Sequence, residues 1–149
     1  MPLGASCYLY RNTGTNASPT WNLVPNVGDL SVPISFDEAD VSTRESLTKM
    51  TDPGLMDASI QFSMIVDSSD TDYVAIELAC FARTAIEFAV MNGPIGTVGS
   101  RGLRAFCKVL GFEDDQGLSN AQKVAVTLKP TRTSESGAVV AASWLIVAA

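Results

Sequence analysis

Histidine is absent from the 149 residues of this chain. Histidine is the usual acid–base catalyst near neutral pH and a common zinc ligand. Its absence excludes Ser-His-Asp and Cys-His catalytic arrangements and the usual zinc ligand sets. Carboxylate chemistry stays open, but no acidic pair stands out, and no nucleophile, base and orienting group come together in the pattern. The sequence therefore predicts a protein that is not an enzyme and that uses neither a metal nor another cofactor.

Cysteine is scarce, and the three that are present, Cys7, Cys80 and Cys107, lie far apart with no C-x-x-C spacing. An odd and scattered set argues against a secreted disulfide framework and fits synthesis in a reducing compartment. Cys80 and Cys107 lie within apolar patterns, where a small core residue is the simplest interpretation.

Long apolar runs are missing as well. The most apolar stretch covers residues 138–149, which is shorter than the roughly 20 residues that a membrane-spanning helix needs. We expect it to form a final strand or a tail that packs on a neighbouring subunit. The first residues show no basic region followed by an apolar run, so we expect neither a signal peptide nor a membrane association.

Basic residues are outnumbered by acidic ones, 10 against 16, and the sequence pI is about 4.4. Such a chain repels nucleic acid and lacks the basic stripe that phosphate binding requires. The hydrophobic share of 46% against 17% charged residues is typical of a folded protein. A chain of this length is predicted to form a single domain over residues 1–149.

The clearest pattern is a strict alternation from Met56 to Val66. The even positions are apolar, and the odd positions begin with Asp57, Ser59, Gln61 and Ser63. A period of two indicates an antiparallel strand with one face on a core and the other in water.

The period then changes to that of a helix. Ser69 and Asp70 provide a cap and Asp72 adds a negative charge in the first turn, which suits the helix dipole. An almost continuous apolar run follows, so the sequence predicts a helix over about residues 70–83.

Further strand patterns surround these two elements. They cover Ala5–Arg11, Trp21–Val24, Asp29–Phe36, Thr84–Met91, Leu103–Phe112 and Lys123–Lys129. We therefore predict a mainly β fold, an antiparallel β-sandwich or partly rolled barrel with one flanking α-helix. Trp21 and Trp144 lie in apolar segments, which favours packing in the core or at a subunit interface.

The segment from Asp37 to Pro53 is charged and holds few large apolar groups. It is long for a connection in a compact domain, and loops of that kind tend to be functional or mobile. Its charged members are Asp37, Glu38, Asp40, Arg44, Glu45, Lys49 and Asp52.

Two apparent ligand motifs fail on inspection. Gly93, Gly96, Gly99 and Gly102 are evenly spaced, but no Gly-Lys-Ser/Thr follows, so a flexible hairpin connection is the better interpretation. The acids between positions 67 and 72 lack the glycine and the closing glutamate of a calcium loop, and helix capping accounts for them.

The order of these elements is similar to that of a known family. A polar loop around Val41-Ser-Thr-Arg-Glu-Ser leads into the alternating strand and then the acid-capped helix from Asp70. A strand over residues 85–90, a glycine-rich turn and a strand ending Val126-Thr-Leu-Lys-Pro-Thr follow. Over roughly residues 20–132 this order resembles the tail tube (major tail) proteins of long-tailed bacteriophages. Tube subunits of contractile tails and of type VI secretion share that fold.

The resemblance implies hexameric rings stacked into a tube whose lumen conducts DNA during genome delivery. It implies a location in the virion tail, assembly in the bacterial host cytoplasm, and partners that are copies of the chain and other tail proteins. DNA would pass without specific binding, since an acidic lumen repels phosphates. In that family the sheets of neighbouring subunits join to line the lumen, and a long loop reaches the adjacent ring. In this chain, the candidate residues for the lumen wall are Asp57, Ser59, Gln61 and Ser63. The candidate residues for the ring-to-ring contact are the charged residues of 37–53.

Three other classes stay open. A capsid-decorating or head–tail joining protein would also be β-rich and structural, but would give no tubes. A ligand-binding β-barrel would stay monomeric at high concentration. An enzyme that uses carboxylates fits least well.

Overall fold

The computed structural model describes residues 7–45, 47–118, 121–135 and 138–148. Within these ranges the chain forms one α-helix, α1 (Thr71–Ala82), and twelve β-strands. The strands are β1 (Tyr8–Asn12), β2 (Trp21–Leu23), β3 (Val27–Ser31), β4 (Ile34–Asp40), β5 (Thr51–Ala58), β6 (Ile60–Ile65), β7 (Ile86–Met91), β8 (Arg101–Asp115), β9 (Lys123–Pro130), β10 (Thr133–Glu135), β11 (Ala138–Val140) and β12 (Ser143–Ile146). The predicted class, mainly antiparallel β with one helix, is confirmed.

One long strand organises the main sheet, whose order is β2-β1-β7-β8-β9-β6-β3. β8 has 15 residues and changes partner along its length. Its first part, to Cys107, pairs with β7, and its second part, from Cys107 to Asp115, pairs with β9. We call β2, β1, β7 and the first part of β8 the first half-sheet, and the second part of β8 with β9, β6 and β3 the second half-sheet.

The two half-sheets enclose the core. Leu9 and Phe88 from the first half-sheet and Ile60, Phe62 and Val126 from the second belong to one packed cluster. Burial of this kind contributes about 25 cal/mol per Å² of apolar surface, and it holds the halves face to face. The main sheet does not close into a barrel in the described part of the chain.

The predicted alternation is confirmed on β6, where Ile60, Phe62 and Met64 are buried and Gln61 is exposed. The prediction of one continuous strand from Met56 is wrong. β5 ends at Ala58 and β6 begins at Ile60, and the Ser59 N–H donates to the Pro33 carbonyl at 3.1 Å. The chain therefore leaves one sheet and enters another at this point, which a period of two does not reveal.

The helix begins and ends close to where the sequence predicts. The Asp70 carboxylate accepts a hydrogen bond from the Asp72 N–H at 3.0 Å, and Arg83 ends the helix in the left-handed conformation with φ 59°. Ile76 is fully buried, and Arg11 Nε of β1 donates to Asp72 Oδ1 at 2.7 Å. The helix thus covers the core face of the second half-sheet and is anchored to the first.

The prediction of a loop over residues 37–53 is wrong for the two ends of that segment, which form strands. β4 and β5 pair as a separate two-stranded ribbon, and only residues 41–50 form its turn. All described residues from 33 to 57 are exposed. Since residues 37–40 and 51–53 lie in water on both faces of the ribbon, no apolar alternation marks these parts of its strands, which explains the error.

The apolar C-terminal stretch is largely extended. β11 pairs with β10 in a small hairpin, and β12 pairs with β8 from Arg101 to Arg104. The final strand expected from the sequence is therefore present. Residues 5, 6, 46 and 149 of the predicted segments lie outside the described residues.

Replacing Phe88 with alanine should lower the free energy of unfolding by about 3–5 kcal/mol, because it empties the centre of the core. Phe88 is fully buried, whereas Phe36 on the ribbon is 54% exposed. The matched control Phe36→Ala should cost less than about 1 kcal/mol in the isolated chain. Urea unfolding followed by circular dichroism measures both. Equal losses would contradict the assigned core.

Candidate assembly surfaces

The ribbon has two chemically different faces. Ile34 lies opposite Ala58, and Phe36 lies opposite Met56. Residues directly opposite one another in an antiparallel pair share a face, so this face is apolar near the ribbon's base. Ser35 lies opposite Asp57 and Ala39 opposite Asp52 on the other face. The second face is therefore acidic.

The candidate ring-to-ring residues all lie on this ribbon. Asp37, Glu38 and Asp40 belong to β4, Asp52 belongs to β5, and Arg44, Glu45 and Lys49 lie in the turn. The structure brings them onto one projecting arm that carries more negative than positive charge. Charged edge strands also discourage indiscriminate pairing with other chains.

The turn of the ribbon is ordered by Ser42. Its hydroxyl accepts from the Met50 N–H at 2.7 Å, and its own N–H donates to Asp40 Oδ1 at 2.9 Å. Hydrogen bonds from the Ser42 N–H and hydroxyl lower the pKa of Asp40 below its ordinary value. Asp40 is therefore ionised at neutral pH, and the hydrogen bond between the Ser42 hydroxyl and the Met50 N–H helps to hold the turn.

Large apolar side chains on the ribbon are left in water. Leu55 is 80% exposed, Phe36 54% and Met50 52%. A two-stranded ribbon alone is only marginally stable in water, and clustered exposed apolar groups mark surfaces that bind other proteins. The ribbon has the properties of an arm that another molecule covers.

The four candidate wall residues do not form one face, contrary to the sequence prediction. Gln61 is exposed and Ser63 half-buried on β6, but Ser59 is buried at 6% exposure where the chain changes sheets. Asp57 lies on the ribbon, where its carboxylate is 3.8 Å from Lys129 Nζ. The break at Ser59 separates Asp57 on the ribbon from Gln61 and Ser63 on β6.

The outer face of the second half-sheet includes residues that the sequence analysis missed. Thr127 of β9 lies opposite Gln61, and Ala125 lies opposite Ser63. Lys123 lies opposite Asp115, and Lys129 opposite Lys108. The face is polar with mixed charge rather than uniformly acidic. The alternation in residues 123–129 was the available signal, but only strand pairing shows which residues share a face.

The second half-sheet has two open edges. β3 pairs with β6 on one side only, and residues 108–115 of β8 pair with β9 on one side only, within the described part of the chain. Open edges carry backbone N–H and C=O groups that suit pairing with another strand.

A buried polar network holds residues 12–20 on the first half-sheet. Glu87 is 3% exposed and accepts from Arg104 Nε at 2.7 Å, Asn12 Nδ2 at 3.2 Å and Asn16 Nδ2 at 2.6 Å. The Arg104 guanidinium also lies 5.1 Å from the centre of the Trp21 ring. Because this carboxylate is enclosed by its own donors, its role is structural. Nothing in the sequence pattern signalled the network.

Acidic side chains and cysteines are the possible metal ligands among the described residues. No group of three or more His, Cys, Asp or Glu side chains converges there as a metal site. Cys107 is 1% exposed, and burial raises the pKa of its thiol to about 12, so it is inert at neutral pH. No helix in the described ranges is long and apolar enough to cross a membrane.

Several solved structures share this architecture. The SPP1 tail tube matches 100% of this chain and 81% of its own, with a TM-score of 0.75 and 14% identity. The tail of an empty gene transfer agent particle, refined with C6 symmetry, matches 95% of this chain and 98% of its own, with a TM-score of 0.68 and 14% identity. A chain of the PVC sheath–tube complex, from an extracellular contractile injection system, matches 99% of this chain and 92% of its own, with a TM-score of 0.61 and 10% identity.

The fold is that of tail-tube structures. No protein-family model and no curated protein sequence matches the chain. At these identities the likeness lies in the three-dimensional fold, and at that level the predicted resemblance to tail-tube proteins is confirmed. The tail-tube fold places the ribbon, the open edges and the polar outer face on one subunit.

Replacing Glu87 with alanine should destabilise the subunit by about 3–5 kcal/mol, because it leaves the Arg104 charge partly buried and unpaired. Arg104 and Glu87 side chains are 18% and 2% exposed, whereas Lys129 and Asp57 are 46% and 67% exposed. The control Asp57→Ala should therefore change stability by no more than about 1 kcal/mol. Urea unfolding of both variants tests this, and a small effect at Glu87 would show that the network is dispensable.

Proposed function

We propose that this protein is the structural subunit of a phage-type tail tube, assembled as hexameric rings stacked end to end. The observation that carries the proposal is a tail-tube fold whose exposed ribbon and two open sheet edges are left to be completed by other copies. The C6 symmetry of a structure with the same fold supports six copies in a ring. The protein would act in the virion tail after assembly in the bacterial host cytoplasm.

The two open edges of the second half-sheet would provide the contacts that form a ring. β3 of one copy can pair with the second part of β8 in the next copy, which uses both open edges of every subunit. Such a head-to-tail contact closes into a ring when the rotation between copies divides a full turn. The resulting wall is a continuous sheet, and no edge of the second half-sheet is left exposed.

The orientation of that wall follows from its two faces. One face packs on the core and helix α1, so the other face is the one available to line a channel. It carries Gln61, Ser63, Ala125 and Thr127 in the centre, and Asp57 near the base of the ribbon. Ser59, which is buried, has no part in this wall.

The charges on this face suit passage of DNA without retention. Lys129 lies 3.8 Å from Asp57 and Lys123 lies opposite Asp115, so these two lysines have acidic neighbours, while Lys108 lies opposite Lys129. Short neutral side chains occupy the positions between them. A single pair of adjacent lysines with an aspartate beside it is far from the basic stripe that strong phosphate binding requires, and the chain's net charge of −6 adds a weak repulsion.

The ribbon is the proposed contact between successive rings. It projects as a separate two-stranded arm, and its apolar face would be covered by the adjacent ring. The acidic face and the mixed charges of the turn would make stacking sensitive to salt. Other tail proteins could bind the same arm at the two ends of the tube. None of these roles requires catalysis or a cofactor.

A tube subunit of a contractile injection system is the second candidate, since the PVC sheath–tube complex has the same fold over 99% of this chain. Its assembly would use the same surfaces, with an added sheath outside the tube. A capsid-decorating or head–tail joining role predicts that no tubes form.

Deleting residues 43–48 should abolish long tubes while the subunit stays folded, because the deletion removes the turn that reaches the next ring. The Ser42–Met50 hydrogen bonds lie just outside the deletion and can close a shorter turn. Negative-stain electron microscopy counts tubes, and circular dichroism checks the fold. A Gly-Ser replacement of the same length separates lost reach from lost side-chain contacts. Tubes of normal length from the deletion variant would show that the ribbon is not the stacking element.

A further inference from the structure

An apolar projection lies beside the open edge of β8. Leu78 and Phe81 on α1 are 64% and 74% exposed, and Leu110 on β8 is 67% exposed. The Phe81 ring meets the half-buried Phe112 ring edge to face at 6.3 Å, which fixes its position. We call Leu78 and Phe81 the helix knob.

A cavity of about 620 Å³ lies beside the open edge of β3, at the opposite end of the same half-sheet. Tyr8, Leu23, Val24, Val27 and Leu30 provide its apolar lining and Asn26 and Asp29 provide polar groups, so the cavity is only partly apolar. Its volume lies within the roughly 300–1,000 Å³ of cavities that enclose a small molecule, which is room for a few side chains.

The knob and the cavity lie on the same side of the half-sheet. Val27 and Leu30 of the cavity are opposite Met64 and Phe62, which face the core. Helix α1 also lies on the core side, because Ile76 packs in the same cluster. When β3 of one copy joins β8 of the next, the knob of the second copy therefore comes alongside the cavity of the first.

We propose that the helix knob of each subunit inserts into the β3 cavity of its neighbour in the ring. This inference rests on the proposed function and assigns the apolar contact between neighbouring copies. The occupant is a second copy because knob and cavity lie at the two edges that ring closure joins, so that every copy supplies one of each. Phe81 is the anchor, since aromatic side chains seated in a pocket dominate interface energies.

Charge complementarity supports the same pairing. Arg83, at the end of α1 beside Phe81, is exposed, and Asp29 on the lining of the cavity is exposed. Opposite charges at the rim of an apolar contact favour the correct register and penalise wrong ones. Insertion of the knob would bring the Arg83 guanidinium of the inserting copy towards the Asp29 carboxylate of the receiving copy.

The first test replaces apolar side chains of the knob. Leu78→Ser combined with Phe81→Ser should raise the concentration needed for assembly by at least about tenfold, as expected when an interface anchor is lost. The control Leu118→Ser changes a leucine that is fully exposed at 104% and belongs neither to the knob nor to the lining of the cavity, so assembly should not change. Sedimentation measures assembly, and circular dichroism shows whether each variant is folded. Unchanged assembly of the folded double variant would overturn the proposal.

The second test exchanges the two charges. Asp29→Arg and Arg83→Asp should each weaken assembly, and the combined variant should recover most of it, because the pair is restored in the opposite sense. Aspartate tolerates the left-handed backbone at position 83, so the helix end is kept. Arg132→Asp, at another exposed position, is the matched control for lost positive charge.

The outcomes separate this inference from the proposed function. Recovery in the double charge variant supports direct contact between these residues of two copies. Tubes that form normally in every variant would overturn the knob-and-cavity contact and leave the tail-tube role standing. Failure of the unaltered protein to form rings or tubes would overturn the proposed function, and this inference with it.

Discussion

Unmet backbone hydrogen bonding at the ends of the second half-sheet is the constraint on which this structure depends. A β-strand that has a partner on one side only presents a row of N–H and C=O groups on the other. Here β3 and the second part of β8 are in that condition, and the sheet does not close on itself in the described residues. Pairing between copies would use both edges at once, which is why we propose an assembly.

β8 links this constraint to the core. Because it pairs with β7 along its first part and with β9 along its second, it lets one sheet fold into two packed halves. The same exchange leaves its second part open beside helix α1. The apolar knob, the open edge and the polar outer face therefore follow from the length of a single strand, while the ribbon is a separate element that leaves the sandwich at Ser59.

The sequence predicted features that depend on local periodicity. Buried Ile60, Phe62 and Met64 and the cap at Asp70 follow from a period of two and from capping chemistry, and the structure confirms them. Residues 37–40 and 51–53 of the ribbon resemble a loop in sequence because both faces lie in water there, and so no alternation marks them. Ser59 was placed on an exposed face because a period continues through a change of sheet without a visible break.

By itself, then, the sequence determined the fold class, the core face of β6 and the helix, since burial of apolar side chains imposes a period that residues carry in order. Tertiary structure alone decided which strands pair and which edges stay open. It also decided that Glu87, Arg104, Asn12 and Asn16 meet, and that a mixed rather than acidic face lies outside β6 and β9. The physical reason is that pairing partners distant in the chain are chosen by the summed packing of the whole core, which no local pattern records.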